Sequence, residues 1–164
     1  MQKEKKFGIL KKEEDDEFYM KLAIQEAKKA LKNNDVPIGA IIVNNGEIVS
    51  SGYNKVEKKG DSTAHAEMIA IKRAIKSIGY KHLNNCSLYV TLEPCPMCAG
   101  AIVLSRLKRL IYGASDPKSG ACDSLYSITN DKRLNHRCII KKGVLEEECS
   151  KLLSDFFREL RKIK

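Results

Sequence analysis

The spacing of apolar residues changes along this chain, and each change marks an element. Between positions 16 and 33, Phe18, Leu22, Ala23, Ala27, Ala30 and Leu31 recur at helical intervals, and Asn33-Asn34-Asp35 supplies a stop. Ile38 to Val43 is a short β-branched run. Asn44-Asn45-Gly46 reads as a hairpin turn and Glu47 to Tyr53 as the returning strand. A second helical run opens at His65 and carries Met68, Ile69, Ile71, Ala74, Ile75 and Ile78 to a stop near Gly79. Ser87 to Leu92 predicts a strand, followed by a helix through Ala99, Ala101, Ile102, Val103 and Leu104. Lys108 to Gly113 predicts another strand, 114–124 a polar loop, and Arg137 to Lys141 a short last strand. The final helix, 146–162, carries Cys149, Leu152, Leu153, Phe156 and Leu160 on its apolar face. Phe156 and Phe157 are expected in the core or against a second copy of the chain. Alternation of helices and strands after the first hairpin predicts an α/β fold.

Composition adds limits. At 164 residues, 43% hydrophobic and 31% charged, the chain suits one globular domain with a proper core. Residues 1–15 are rich in Lys and Glu and are expected to be a flexible leader, leaving 16–164 as the domain. No apolar run approaches the roughly 18–20 residues that a membrane helix needs. The only apolar cluster near the start, Phe7-Gly8-Ile9-Leu10, is too short for a signal peptide. A cytoplasmic protein is therefore expected, with its six cysteines reduced. Thirty basic against 21 acidic residues give a net charge of +9, which makes nucleic acid the first partner to consider.

The chemistry concentrates in two segments, His65-Ala66-Glu67 and Pro94-Cys95-Pro96-Met97-Cys98. Two cysteines three positions apart on a helical turn can reach one ion, and the prolines suit the start of a helix. His65 supplies a third ligand, and a zinc ion with three protein ligands keeps a position for water. Glu67, two residues from His65, can then move protons. A CxxC pair also serves redox chemistry or half of a closed four-ligand site. Cys86, Cys122, Cys138, Cys149, His82 and His136 are further donors for such a site, but none forms a second close pair. Cys86, Cys138 and Cys149 are most simply buried small residues, and the two histidines structural or surface groups.

The H-x-E…P-C-x-x-C arrangement is the known pattern of zinc nucleobase deaminases. Further segments follow in order: Asp35 to Ala40 (DVPIGA), Leu88 to Ala101 (LYVTLEPCPMCAGA), Asp116 to Gly120 (DPKSG), Asn135-His136-Arg137, and Leu152 to Arg158 (LLSDFFR). With these, residues 16–160 resemble bacterial-type tRNA-specific adenosine deaminases of the cytidine deaminase-like superfamily. The resemblance implies a three-layer α/β/α sandwich on a mixed five-stranded sheet, and a homodimer. It implies conversion of adenosine to inosine at the wobble position of a tRNA anticodon loop, typically an arginine tRNA. His65, Cys95 and Cys98 would bind one zinc ion per subunit. Zinc-bound hydroxide would attack adenine C6, with Glu67 as proton shuttle. Asn54, Ile38, Ala66 and Asp116 would contact the substrate, and Arg158, Arg161, Lys162 and Lys164 would hold phosphates. The chain departs from the family at Asp123, where a glycine is common. A deaminase of free bases or nucleosides is the nearest rival. A catalytically silent RNA-binding subunit would be expected to lack Glu67.

Overall fold

The computed structural model describes residues 2–163, with side chains from residue 15 onward. The first helix is longer than its apolar spacing indicates. α1 spans Gln2–Lys29 and tightens into a 3-10 turn over Ala30–Asn33, closed by Asn34 in the left-handed region (φ 56°). The charged segment 1–15 falls almost wholly on side chains outside the described ones.

β1 (Gly39–Asn44) and β2 (Glu47–Tyr53) form the expected hairpin. Its turn has Asn45 at φ 50° and Gly46 at φ 80°, the paired left-handed conformation that Asn-Gly accommodates. A bulge sits in β2, where Ser50 faces Ile42 but Ile48 faces Val43. A short helix α2 (Val56–Lys59) follows, for which the spacing of apolar residues gives no signal. Then come α3 (Ala66–Ile78), β3 (Cys86–Leu92), α4 (Pro96–Leu104), β4 (Arg109–Ala114), a 3-10 turn at Ile128–Asn130, β5 (Ile139–Lys142) and α5 (Glu146–Ile163).

The five strands lie in the order β2-β1-β3-β4-β5. β1 runs antiparallel to both neighbours, while β3, β4 and β5 are parallel, so the sheet is mixed. Alternation along each strand divides the core in two. Ala40, Ile42, Leu88, Val90, Leu110 and Tyr112 pack against Ala66, Ala70 and Ala74 of α3 and Ala99 and Ile102 of α4. Ile41, Val43, Tyr89 and Ile111 pack against Met20, Ala23 and Ile24 of α1 and Cys149 of α5. The result is the expected three-layer α/β/α sandwich. Cys86, Cys122, Cys138 and Cys149 are buried free thiols.

α1 is held to the sheet by a buried acid as well as by apolar contact. Asp16, 2% exposed, accepts hydrogen bonds from Tyr89 Oη (2.7 Å), from both terminal nitrogens of Arg109 (3.2 and 3.0 Å) and from Lys141 Nζ (3.2 Å). These donors come from β3, β4 and β5, so one carboxylate links the helix to three strands. Among the described residues no helix is long and apolar enough to cross a membrane.

Candidate active site

β2 and β3 run in the same direction, so the segments that follow them, leading to α3 and α4, emerge at one edge of the sheet. His65 is the N-cap of α3 and Cys95 the N-cap of α4, both with extended backbone. Pro96 occupies the first position of α4, where its missing N–H leaves no bond unmade. Two helix N-termini, with their partial positive charge, therefore flank one point.

Cys95 Sγ lies 3.6 Å and Cys98 Sγ 3.5 Å from His65 Nδ1. All three donor atoms fall within 4.8 Å of one another. Tetrahedral zinc with bonds of about 2.3 Å to sulfur and about 2.0 Å to nitrogen spaces such N and S atoms about 3.5 Å apart. The chemistry and spacing of the donors thus fit zinc. No fourth donor joins the three among the described residues, which argues against the closed structural site. The Cys98 side chain, with the imidazole, holds the Cys95 thiol down to about 4, while proton sharing with Cys95 and burial push Cys98 upward.

Glu67 is the second residue of α3 and only 4% exposed. Burial pushes its carboxyl above the ordinary carboxylate range. It lines a cavity of about 140 Å³ with Ile38, His65, Leu92, Glu93, Cys95, Asp116 and Ser119. An open cleft of about 800 Å³ shares Ile38 and His65 and extends past Asn54, Asp35, Phe156 and Leu160. Ile38 is therefore common to the inner cavity and the cleft.

The other expected contacts sort differently. Asn54, buried, donates from Nδ2 to Val36 O (3.1 Å), accepts from Val56 N (3.2 Å) and lines the cleft. Ala66 is fully buried and packs in the core, and it lines neither the inner cavity nor the cleft. Asp116 caps its own turn, accepting from Lys118 N (3.0 Å) and Ser119 N (3.2 Å), yet it also lines the inner cavity. Of the two places expected for Phe156 and Phe157, the core does not hold them: they belong to neither core cluster. They stack edge-on at 5.3 Å. Phe156 lines the open cleft, and Phe157 lines a groove of about 420 Å³ with Asp116, Pro117 and Lys118. Along α5, Leu152 and Leu153 pack on the core, while Phe156 and Leu160 line the cleft.

Asp123 lies outside the set of residues with positive φ, so the departure from glycine introduces no backbone strain. Its side chain pairs with Lys142 at 2.6 Å. Arg158 pairs with Asp155 and Lys162 with Glu159, while Lys164 lies outside the described residues. His136 Nε2 is bonded to Leu107 O (2.7 Å), and His82 packs edge-on to Tyr80, so neither approaches the donor triangle.

Two acids were not singled out from the sequence. Asp35, 1% exposed, caps α2 through Glu57 N (2.5 Å) and Lys58 N (3.1 Å) and so shapes the cleft wall. Glu93, 2% exposed, lies between Leu92 and Pro94 and lines the inner cavity. Their partners are about 22 to 31 residues away, beyond the reach of a local pattern.

A family model described as MafB19-like deaminase matches residues 14–161. A tRNA-specific adenosine deaminase of Bacillus subtilis (strain 168) is 54% identical over 149 residues, covering 91% of this chain and 92% of that protein. One from Aquifex aeolicus (strain VF5) is 50% identical over 145 residues, covering 88% and 95%. A solved structure from a study of A-to-I editing by tRNA:A34 deaminases at the wobble position of transfer RNA superposes with a TM-score of 0.79. It is 40% identical and covers 83% of this chain and 99% of that one. In fold, in the spacing of His65, Cys95 and Cys98, and in sequence along most of its length, the chain belongs to the tRNA-specific adenosine deaminase family.

Proposed function

We propose that this chain converts adenosine to inosine at the wobble position of a tRNA, an arginine tRNA in the first instance, with release of ammonia. The observation that carries this reading is the three-donor triangle of His65, Cys95 and Cys98 beside a buried carboxylate, in a chain whose relatives are tRNA-specific adenosine deaminases. Zinc, one ion per subunit, supplies Lewis-acid activation of a water molecule when bound there. Glu67 takes one proton from the attacking water and delivers it to N1 of the adenine ring. It then takes the proton of the hydroxyl added at C6 and passes it to the N6 amino group, which departs as ammonia as the C6 carbonyl forms. Its burial and raised proton affinity suit a group that accepts and returns a proton at one place. The Asn54 side chain orients the base, and Ile38 forms the apolar wall. Asp116 and its turn meet the RNA beside the target nucleotide. An anticodon loop offers this base already out of a duplex, which lowers the cost of bringing it into the cavity.

The catalytic domain is 16–164, and the enzyme works as a cytoplasmic homodimer. The net charge of +9 supplies attraction for the polyanion. The test is deamination of a synthetic anticodon stem-loop with adenosine at the wobble position by zinc-loaded protein, with guanine, cytosine and cytidine alongside. Inosine at the wobble position alone is expected. Turnover of a free base without turnover of the stem-loop would overturn the tRNA assignment and leave a small-molecule deaminase.

A further inference from the structure

Glu93 joins β3 to α4 two residues ahead of Cys95, and its carboxylate is the anchor of an entire loop. Oε1 accepts from Asp116 N (3.1 Å) and Ser124 Oγ (2.5 Å). Oε2 accepts from Cys122 N (3.2 Å), Asp123 N (3.0 Å) and Ser124 N (2.9 Å). Every donor belongs to the segment 116–124, and none is a Lys or Arg. The negative charge is met by a concave array of amides, the arrangement by which backbone elsewhere grips an anion. The loop in turn is shaped to close on the carboxylate. A Cβ at Gly120 would overlap the Glu93 carboxylate, so only glycine permits the approach. Ala121 N continues the seam by donating to Pro94 O (2.8 Å), and Glu93 N closes the other end on Ala114 O (2.8 Å). Asp116 and Ser119 of this loop line the inner cavity, and Pro117 and Lys118 line the groove beside it.

We propose that Glu93 is a positioning residue, holding the 116–124 loop in register with the Cys95 turn so that Asp116, Lys118 and Ser119 face an RNA substrate. This rests on the tRNA reading above only for what the loop faces. Glu93→Gln preserves size but turns an NH2 group onto amide donors, setting donor against donor. In the zinc-loaded full chain, amides of Asp116, Cys122, Asp123 and Ser124 are expected to exchange at least about 10-fold faster, while those of α3 stay protected. Zinc content is expected to stay at one per subunit. KM for the stem-loop should rise about 10-fold with kcat within about 3-fold, since a displaced loop weakens binding more than chemistry. Glu93→Asp, which keeps the charge, should recover part of the loss. Should Glu93→Gln fail to fold, Ser124→Ala removes one donor and is expected to raise KM about 2- to 5-fold. Unchanged exchange in the loop would overturn the proposal, and so would a loss confined to kcat or accompanied by zinc loss. If the wild-type protein does not deaminate the stem-loop, the tRNA reading fails and the exchange rates alone decide the role of Glu93.

Discussion

Asp16→Asn should loosen the attachment of α1 to the sheet by an amount that can be worked out in advance. The substitution keeps the side chain's volume and an oxygen for Tyr89 Oη, but removes the charge facing Arg109 and Lys141. Arg109 is 26% exposed and grips the carboxylate with two nitrogens, and hydrogen bonds to charged groups contribute about 1.5–3 kcal/mol. The Lys141 pair, 38% exposed on the lysine side, is screened by solvent and is discounted to near zero. Asp16→Asn should therefore destabilise by about 2 kcal/mol at pH 7, or roughly 4–8 °C in the thermal midpoint. The effect also has a pH signature. Burial alone would raise the Asp16 carboxyl, but its bonds to Arg109, Tyr89 and Lys141 outweigh burial and hold it below the ordinary value. The unfolded chain then binds the proton more readily than the native one, so the contribution is full above about pH 4 and is lost as pH falls below it. The chain has no tryptophan, so urea unfolding is best followed by circular dichroism, for both proteins at steps from pH 7 to pH 3. A difference under about 0.5 kcal/mol at pH 7 would refute the estimate, and a difference that persists unchanged into acid would refute its electrostatic origin.

Three further outcomes are expected. Glu67→Gln should lower kcat/KM on the stem-loop by about 10⁴-fold, the upper range for acid–base catalysis, because one buried group serves both proton transfers; zinc analysis of the variant should still find a full site. Chelation should abolish turnover and lower the thermal midpoint together, and Cys98→Ser should reproduce both effects without chelator; a chelated protein with unchanged melting would separate the ion from the fold. Asn54→Ala should cost about 1–3 kcal/mol, read by urea unfolding, because Val56 N loses its acceptor while Val36 O, still bonded to Ile38 N, loses one of its two donors, with a KM increase for the stem-loop on top.

What the sequence makes legible depends on whether the cause is local. The strands and helices followed from apolar spacing and from the Asn45-Gly46 turn, since each answers to a neighbour a few residues away. The donor triangle followed from spacing too, because helix N-caps place ligands by local geometry. α2 did not, for its four residues carry no apolar repeat and its cap, Asp35, lies about 22 residues upstream. Glu93 was equally hidden, since a charged residue before proline looks like loop until the amides of a later segment close on it. The aromatic pair at the end of α5 was legible only as core or interface, because apolar spacing does not say what a face packs against. Leu152 and Leu153 pack on the core while Phe156 and Leu160, on the same repeat, line the cleft.

The two N-caps that meet at the donor triangle stand 30 residues apart in the chain. An ion joining them closes that stretch as a covalent bridge would, and a closure of this length restricts the unfolded chain by roughly 3–4 kcal/mol on the usual entropic reckoning. The consequence reaches beyond turnover to supply. A cell short of zinc would make molecules that are softer as well as idle, open more often to proteases, and lower in number. The amount of this protein would then follow the metal available while it folds.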